Sequence, residues 1–198
     1  MYICIEGNIG AGKTTLAREL ARRLKAEYLP ERFEENVLLP LFYKQPKRFA
    51  FPTEYSFLID RHKQLIHYFE KPAKTTVADF HFDKCLCFAK ANLKASDFAF
   101  YKKHFAAMKQ TLPVPDLIVY LETSPALLMS NILKRGREIE KQLKAGYLQK
   151  IQKSFDTYYL NRKKSGTRVL HLHLDSYTEA SLDKSCEAVM LTLKSILK

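Results

Sequence analysis

No run of apolar residues in this 198-residue sequence approaches the roughly 18 that cross a lipid bilayer, so we expect no membrane partner. The sequence contains only four cysteines, and neither their spacing nor nearby histidines suit a zinc site. We therefore expect reduced thiols in the core of a cytoplasmic protein. Because Met1 stands one residue before the first predicted strand, we also expect that no targeting segment precedes the fold.

The chain carries a formal charge of +12, which leaves two interpretations open. A strongly basic protein can bind nucleic acid, or it can be an enzyme that holds a highly anionic nucleotide. The sequence has no recognised nucleic-acid-binding module, and it lacks the Asn-Lys-x-Asp motif that a GTP-dependent switch protein would need. We therefore expect a nucleotide-binding enzyme with no nucleic acid as partner.

A phosphate-binding loop pattern, G-x-x-x-x-G-K-[ST], lies near the N-terminus and reads Gly7-Asn8-Ile9-Gly10-Ala11-Gly12-Lys13-Thr14. Gly7 and Gly12 are predicted to adopt positive φ, so that backbone N–H groups of the loop and of a helix from Thr15 point at phosphate oxygens. Lys13 is predicted to act in catalysis by reaching the terminal phosphates of ATP, and Thr14 to bind Mg²⁺. An apolar strand before the loop supports this interpretation.

Short apolar runs alternate with long helical patterns, which predicts a single α/β domain over residues 1–198 with a parallel sheet flanked by helices. The predicted strands are Tyr2–Glu6, Glu27–Pro30, Thr75–Phe80, Leu117–Leu121 and Val169–Leu174. The predicted helices are Thr15–Lys25, Phe49–Glu70, Lys84–Lys109, Pro125–Lys134, Glu138–Asn161 and Thr178–Leu197. In such sheets the ligand lies beyond the carboxyl ends of the strands, so the residues there are candidates for the site.

Three acidic residues stand at the carboxyl ends of predicted strands, and each has a functional and a purely structural interpretation. Glu31 can accept a proton from a substrate hydroxyl, or it can be a solvated loop acid. Asp79 suits a Mg²⁺ site, or it can serve a turn or a helix cap. Asp175 is predicted to lie on the base side of the nucleotide, or it only begins a turn.

Residues 131–147, after the fourth strand, are predicted to form an arginine-rich lid over the transferred phosphoryl group. Arg135 and Arg137 flank Gly136, and guanidinium groups there can neutralise developing charge. The same residues suit the C-terminus of a helix, where basic side chains favour the dipole and glycine forms the cap. Both interpretations can hold together.

Taken together, these residues resemble the deoxynucleoside kinases of the deoxycytidine, deoxyguanosine and deoxyadenosine kinase family, over essentially the whole chain. The phosphate loop is similar to that family's own form. Glu31-Arg32-Phe33 stands where the family has Glu-Pro-Val, and residues 43–49 resemble its Tyr-Glu-x-Pro-x-Arg-Trp stretch. Residues 135–140 resemble its lid, Arg-x-Arg-x-x-Glu.

The resemblance implies a P-loop nucleoside-kinase fold with five parallel strands and transfer of a phosphoryl group from Mg²⁺-ATP to the 5′-hydroxyl of a deoxynucleoside. It implies Glu31 as the catalytic base, and Arg135 and Arg137 as the residues that close on the phosphates. Tyr43 and Glu140 would hold the sugar 3′-hydroxyl. A homodimer is implied through a helix bundle formed by the predicted helices Phe49–Glu70 and Lys84–Lys109.

At the base end the resemblance places Glu54 where the family usually has a glutamine, with Arg61 beside it. An ionised Glu54 offers only acceptors, which suits the N1–H and 2-amino donors of guanine. Adenine suits glutamine or a protonated glutamate better, and an Arg61–Glu54 pair would change what the carboxyl offers. We therefore expect a purine deoxynucleoside and leave the base open.

Two further positions depart from the family pattern, and both leave fewer cations near the phosphates. Asp79-Phe80-His81 replaces Asp/Glu-Arg-Ser on the third strand, so Lys84 is a candidate replacement for the missing arginine. Asn131 stands at the place of an earlier lid arginine. A nucleoside monophosphate kinase, such as a thymidylate kinase, is the alternative, although it would need arginines that hold the acceptor's phosphate.

Overall fold

The computed structural model describes residues 1–160 and 168–196. Its strands are β1 (Tyr2–Gly7), β2 (Glu27–Leu29), β3 (Thr76–Ala78), β4 (Leu117–Thr123) and β5 (Val169–Leu174). They form one parallel sheet in the order β2-β3-β1-β4-β5. The predicted five-stranded parallel sheet is thereby confirmed.

Helices cover both faces of this sheet. They are α1 (Lys13–Leu24), α2 (Leu39–Lys44), α3 (Pro46–Phe69), α4 (Lys84–Asn92), α5 (Ala95–Lys109), α6 (Pro125–Arg135), α7 (Ala145–Leu160) and α8 (Glu179–Ile196). Single 3₁₀ turns occupy Phe33–Glu35 and Glu138–Glu140. None of the helices in the described ranges is both long and apolar enough to traverse a bilayer.

Two of the predicted helices are interrupted in the structure. The helix predicted over Lys84–Lys109 divides into α4 and α5 because Leu93 and Lys94 are extended, with ψ of 151° and 162°. The helix predicted from Glu138 begins only at Ala145, after the 3₁₀ turn. The predicted ends at 161 and 197 lie outside the described residues.

The structure also contains a helix, α2, that the sequence did not predict, since its six residues are too few to show a helical period. The predicted strands that end at Pro30 and Phe80 are shorter in the structure. Pro30 has no N–H group to continue the β2–β3 ladder. Strand β4 is longer than predicted and pairs with β5 as far as Thr123.

Alternation along β1 divides the core into two parts. Ile3 and Ile5 pack with the helices on one face, and Tyr2 and Cys4 pack with those on the other. All four cysteines are buried and form no disulfide bond. Because β1 lies between β3 and β4, the carboxyl ends of the central strands meet at one edge of the sheet, above which the candidate site lies.

Candidate active site

A cavity of about 290 Å³ opens at the carboxyl ends of β1, β2 and β3. Most of the residues predicted from the sequence line it. They are Ile9, Gly10, Lys13, Thr14, Glu31, Tyr43, Glu54, Arg61, Asp79, Lys84, Arg135, Arg137 and Glu140. The chain thus brings the residues predicted to contact the phosphate, the sugar and the base around one cavity.

The phosphate loop has the predicted backbone. Gly7 and Gly12 adopt φ of 150° and 81°, as predicted, and Gly10 also adopts a positive φ of 81°. A Cβ atom on Gly12 would lie 2.6 Å from Cε1 of Tyr177, so this position excludes any side chain. Gly12 also caps the N-terminus of α1, where free N–H groups favour anions.

Four of the predicted ATP-binding residues do not present their side chains to the cavity, and one of them, Ala11, is buried in the core. The buried Asn8 amide donates to the Leu148 carbonyl oxygen at 2.9 Å and therefore ties the loop to α7. Thr15 is exposed and lines a separate groove beside Gly12. Asp175 has a side chain that is 88% exposed and pairs with His173 at 3.0 Å, so its role at the nucleotide stays a prediction.

Lys13 folds back over the loop, and its Nζ donates to the Asn8 carbonyl oxygen at 2.7 Å. Burial and the nearby Lys84 lower the pKa of Lys13 to about 7. Beside it, the Thr14 hydroxyl donates to Oδ2 of Asp79 at 2.6 Å. This pairing of a hydroxyl with a carboxylate supplies the oxygen ligands that Mg²⁺ prefers, so these residues fit the predicted metal site.

Glu31 is held between two cations. Arg61 donates through Nε to its Oε1 at 2.9 Å, and the Lys84 ammonium lies 2.5 Å from its Oε2. Burial would raise the pKa of Glu31, but Lys84 and Arg61 together lower it to about 2. The carboxylate is therefore ionised at neutral pH. Phe80 is buried in the core, and that Lys84 replaces the missing arginine stays a prediction.

The contact between Arg61 and Glu31 differs from the arrangement considered for the base end, where Arg61 would pair with Glu54. The third nitrogen of the guanidinium, Nη1, donates to the Cys85 sulfur at 3.3 Å. Arg61 therefore belongs with the candidate catalytic carboxylate, because Glu31 reaches it across the cavity from β2 and binds two of its nitrogens.

A second buried carboxyl, Glu6, lies beneath the phosphate loop and was not predicted. It accepts the backbone N–H groups of Gly7, at 3.3 Å, and of His81. Burial raises its pKa to about 7, although Lys84 and Lys13 act in the opposite direction. Its sequence signal is a charged residue in the otherwise apolar strand before the loop.

The two candidate lid arginines have carboxylate partners. Arg135 donates through Nη2 to both oxygens of the buried Glu140 at 2.7 Å. Arg137 lies 3.3 Å from Glu34 and places its guanidinium 4.6 Å from the Phe33 ring centroid. Gly136 between them has φ of 67° and caps α6, so the helix-end interpretation of this segment is confirmed.

Asn131 and Tyr177 hold the phosphate loop from the outside. The Asn131 amide donates to the Gly10 carbonyl oxygen at 2.7 Å, and the Tyr177 hydroxyl donates to the same oxygen at 3.2 Å. Asn131 therefore fixes the loop from α6, where the resemblance placed a cation for the phosphates.

At the opposite end of the cavity, Glu54 is only 3% exposed. The Asn92 amide donates to its Oε1 at 2.7 Å and lies 3.2 Å from the Tyr147 hydroxyl. Burial raises the pKa of Glu54 to about 7, although the hydrogen bond from Asn92 and the charge of Arg61 act to lower it. Tyr43 also lines the cavity. Burial and the charge of the nearby Glu140 both raise the pKa of its hydroxyl group. No sequence motif indicated Asn92 or Tyr147.

Comparison with known proteins decides the family. Residues 3–198 match the family model described as deoxynucleoside kinase. The chain belongs to the deoxynucleoside kinase family. This deoxynucleoside kinase is 36% identical to deoxyguanosine kinase of Bacillus subtilis (strain 168) over 158 residues, which are 78% of this chain and 76% of that one. It is 27% identical to the deoxyadenosine/deoxycytidine kinase of the same organism, over 98% of this chain and 92% of that one.

A solved structure supports the same family. Deoxyadenosine kinase from M. mycoides, with the products dCMP and a flexible dCDP bound, has a TM-score of 0.83 and 26% identity, and the match covers 99% of this chain and 100% of that one. The deoxynucleoside kinase described here therefore transfers a phosphoryl group to a hydroxyl. Because the chain belongs to this family, the deoxynucleoside kinase interpretation is favoured over the nucleoside monophosphate kinase alternative.

Proposed function

We propose that this protein phosphorylates the 5′-hydroxyl of a purine deoxynucleoside, with ATP as donor and Mg²⁺ as cofactor. The observation that carries the proposal is the placement of the Glu31 carboxylate and the Lys13 ammonium on one cavity, with the Glu54 carboxyl at its far end. The names of relatives support the acceptor. They include the deoxyguanosine kinase above and a deoxyadenosine kinase of Dictyostelium discoideum, 34% identical over 79% of this chain and 66% of that one.

Glu31 acts as the general base for the sugar hydroxyl. A primary alcohol is a weak nucleophile unless its proton leaves as the new bond forms. The cations that keep Glu31 ionised in the free enzyme also hold its carboxylate in one orientation. When donor phosphates draw Lys84 away, Glu31 loses one of its two cations and becomes a stronger base.

Most of the remaining barrier is lowered by positioning and electrostatics, as is general for phosphoryl transfer. The loop N–H groups and Lys13 bind the donor phosphates, and Arg135 and Arg137 neutralise charge on the transferred group. Thr14 and Asp79 would hold Mg²⁺, which when bound supplies positive charge to the phosphate oxygens. Tyr43 and Glu140 hold the sugar 3′-hydroxyl.

One assay tests the proposal. The protein is incubated with Mg²⁺, ATP labelled at the γ-phosphate and each of the four deoxynucleosides, with dGMP as an alternative acceptor. We expect labelled monophosphate from deoxyguanosine or deoxyadenosine and no labelled product from dGMP. A product from dGMP alone would instead identify a monophosphate kinase.

Glu54 reads the base, and its replacement provides a direct prediction. Glu54→Gln offers one donor and one acceptor, which match the N1 and 6-amino groups of adenine. We expect the ratio of kcat/KM for deoxyguanosine to that for deoxyadenosine to fall about tenfold or more. Glu70→Gln, at the exposed end of α3, serves as the matched control. An unchanged ratio in Glu54→Gln would remove Glu54 from base reading.

We further infer a homodimer that buries helical surface of the predicted bundle. Two helices of that bundle, α4 and α5, form a groove with α7 that is lined by Leu86, Phe98 and Tyr158 and also by four lysines. We expect light scattering to give twice the mass of one chain, and Phe98→Glu to give monomers because it replaces an apolar ring of the groove with a hydrated carboxylate. Leu191→Glu, on the exposed face of α8, should remain dimeric. A monomeric wild-type protein contradicts the inference.

A further inference from the structure

The base end of the cavity contains a carboxyl group of which only one oxygen is satisfied. Oε1 of Glu54 accepts a hydrogen bond from Asn92. Oε2 is buried and has no hydrogen-bond partner among the described residues. A buried carboxyl oxygen that lacks a partner is costly, and a group on a bound ligand can satisfy it. Glu54 lines the cavity, so its carboxyl group is the one that a nucleobase bound at this end would meet.

No cation of the described residues forms an ion pair with Glu54. Arg61, seven residues or about two turns further along α3, contacts Glu31 through its Nε and Nη2 atoms. The Asn92 amide is therefore the direct contact that favours the ionised form of Glu54 over the protonated form.

The other titratable groups that face Glu54 come from four helices and are all neutral near pH 7. They are Tyr43 from α2, Cys85 from α4, Tyr101 from α5 and Tyr147 from α7. Burial raises the pKa of each of these groups above its ordinary value. Burial raises the pKa of the Glu54 carboxyl to about 7. Within this set, Glu54 is therefore the group that changes charge in the neutral range.

We infer that Asn92 is a positioning residue which sets whether Glu54 presents a carboxylate or a carboxylic acid to the base, and which thereby sets the preference between guanine and adenine. This inference rests on the proposed function. The carboxylate accepts hydrogen bonds from N1–H and the 2-amino group of guanine. The carboxylic acid donates its O–H to N1 of adenine and accepts from the 6-amino group.

The break between α4 and α5 places Asn92 for this role. Asn92 is the last residue of α4, and the extended Leu93 that follows ends the helix. The same amide nitrogen lies within hydrogen-bond distance of both Glu54 Oε1 and the Tyr147 hydroxyl. An ionised carboxylate can only accept, so an N–H group of the amide points at Glu54, and the Tyr147 hydroxyl accepts from the same nitrogen.

The inference predicts a specific pH dependence. If each purine binds one form of Glu54, the ratio of kcat/KM for deoxyguanosine to that for deoxyadenosine equals a constant times the ratio of carboxylate to acid. The ratio of carboxylate to acid rises about tenfold per pH unit, whatever the pKa of Glu54, and the ratio of kcat/KM values rises with it. Lys13 and Glu6 also titrate near neutrality, but they act on phosphoryl transfer to both acceptors and therefore cancel in the ratio.

The experiment measures this ratio from about pH 6 to about pH 8 for the wild-type enzyme and three variants. Asn92→Leu keeps the branched shape of the side chain but removes the donor, so the ratio should be about tenfold lower at every pH while the slope is unchanged. Asn92→Ser keeps a shorter donor and should give intermediate values. Glu54→Gln should give a ratio that does not depend on pH.

A flat ratio in the wild-type enzyme overturns the inference, and so does a normal slope that Asn92→Leu does not displace. If Asn92→Leu does not fold, the inference is tested by three other results. They are the slope of the wild-type enzyme, the flat response of Glu54→Gln and the displacement of the ratio in Asn92→Ser. The outcome for the proposed function is separate. If neither purine is phosphorylated at any pH, that function fails, whereas phosphorylation with a flat ratio overturns the role of Asn92 alone.

Discussion

Glu31→Gln is expected to lower kcat about 10²–10⁴-fold, because glutamine cannot accept the proton of the sugar hydroxyl. The amide oxygen can still accept a hydrogen bond from Arg61, so the cavity should keep its shape. We therefore expect little change in KM for the nucleoside, and steady-state kinetics with saturating ATP would measure both parameters.

Two controls separate loss of the base from loss of structure. Glu35→Gln, on the exposed 3₁₀ turn that follows, removes the same charge from a side chain outside the cavity and should leave kcat within a factor of about two. Thermal unfolding of Glu31→Gln shows whether Lys84, deprived of its carboxylate, destabilises the fold. A folded Glu31→Gln enzyme with wild-type kcat would contradict the assignment of the base.

Arg135→Ala is expected to lower kcat about 10³-fold, the range found when an arginine that stabilises the transferred phosphoryl group is removed. The structure adds a second effect. Arg135 makes a two-pronged contact with Glu140, which is the candidate ligand of the sugar 3′-hydroxyl. Its loss should therefore also raise KM for the nucleoside, because Glu140 loses the partner that orients it.

Arg135→Lys distinguishes charge from geometry. Lysine keeps the positive charge but cannot reproduce the planar fork, so kcat should recover only in part. Lys134→Ala, at the exposed neighbouring position, should behave as the wild-type enzyme. Equal effects of Arg135→Ala and Lys134→Ala would mean that this segment contributes only general positive charge.

The parts of the site that the sequence predicted are those that depend on neighbouring residues in the chain. The phosphate loop requires glycines and a lysine at fixed spacing, and a strand and a helix on either side complete it. Glu31 and Asp79 were found because the carboxyl ends of parallel strands meet at one edge of a sheet. Such features are local, or they follow from the strand order alone.

The parts that the sequence missed depend on side chains that meet across helices. Arg61 and Glu31 are 30 positions apart, and either could have paired elsewhere. Asn92 reaches Glu54 only because α4 ends at that residue, and no helix-breaking glycine or proline marks the place. Glu6 carries a signal, a charge within an apolar strand, but its partners at Gly7 and His81 become visible only in the folded chain.

The ion pairs around the cavity have a consequence for how a nucleotide enters. Lys84 and Arg61 are already joined to Glu31, Arg135 to Glu140, and Arg137 to Glu34. In the proposed reaction an arriving polyphosphate meets Lys13 and the loop N–H groups directly, but it must displace a carboxylate to bind Lys84 or the two lid arginines. If the proposed function holds, uptake of the donor includes an exchange of counter-ions within the protein, and Glu31 and Glu140 then become available to the hydroxyl groups of the incoming sugar.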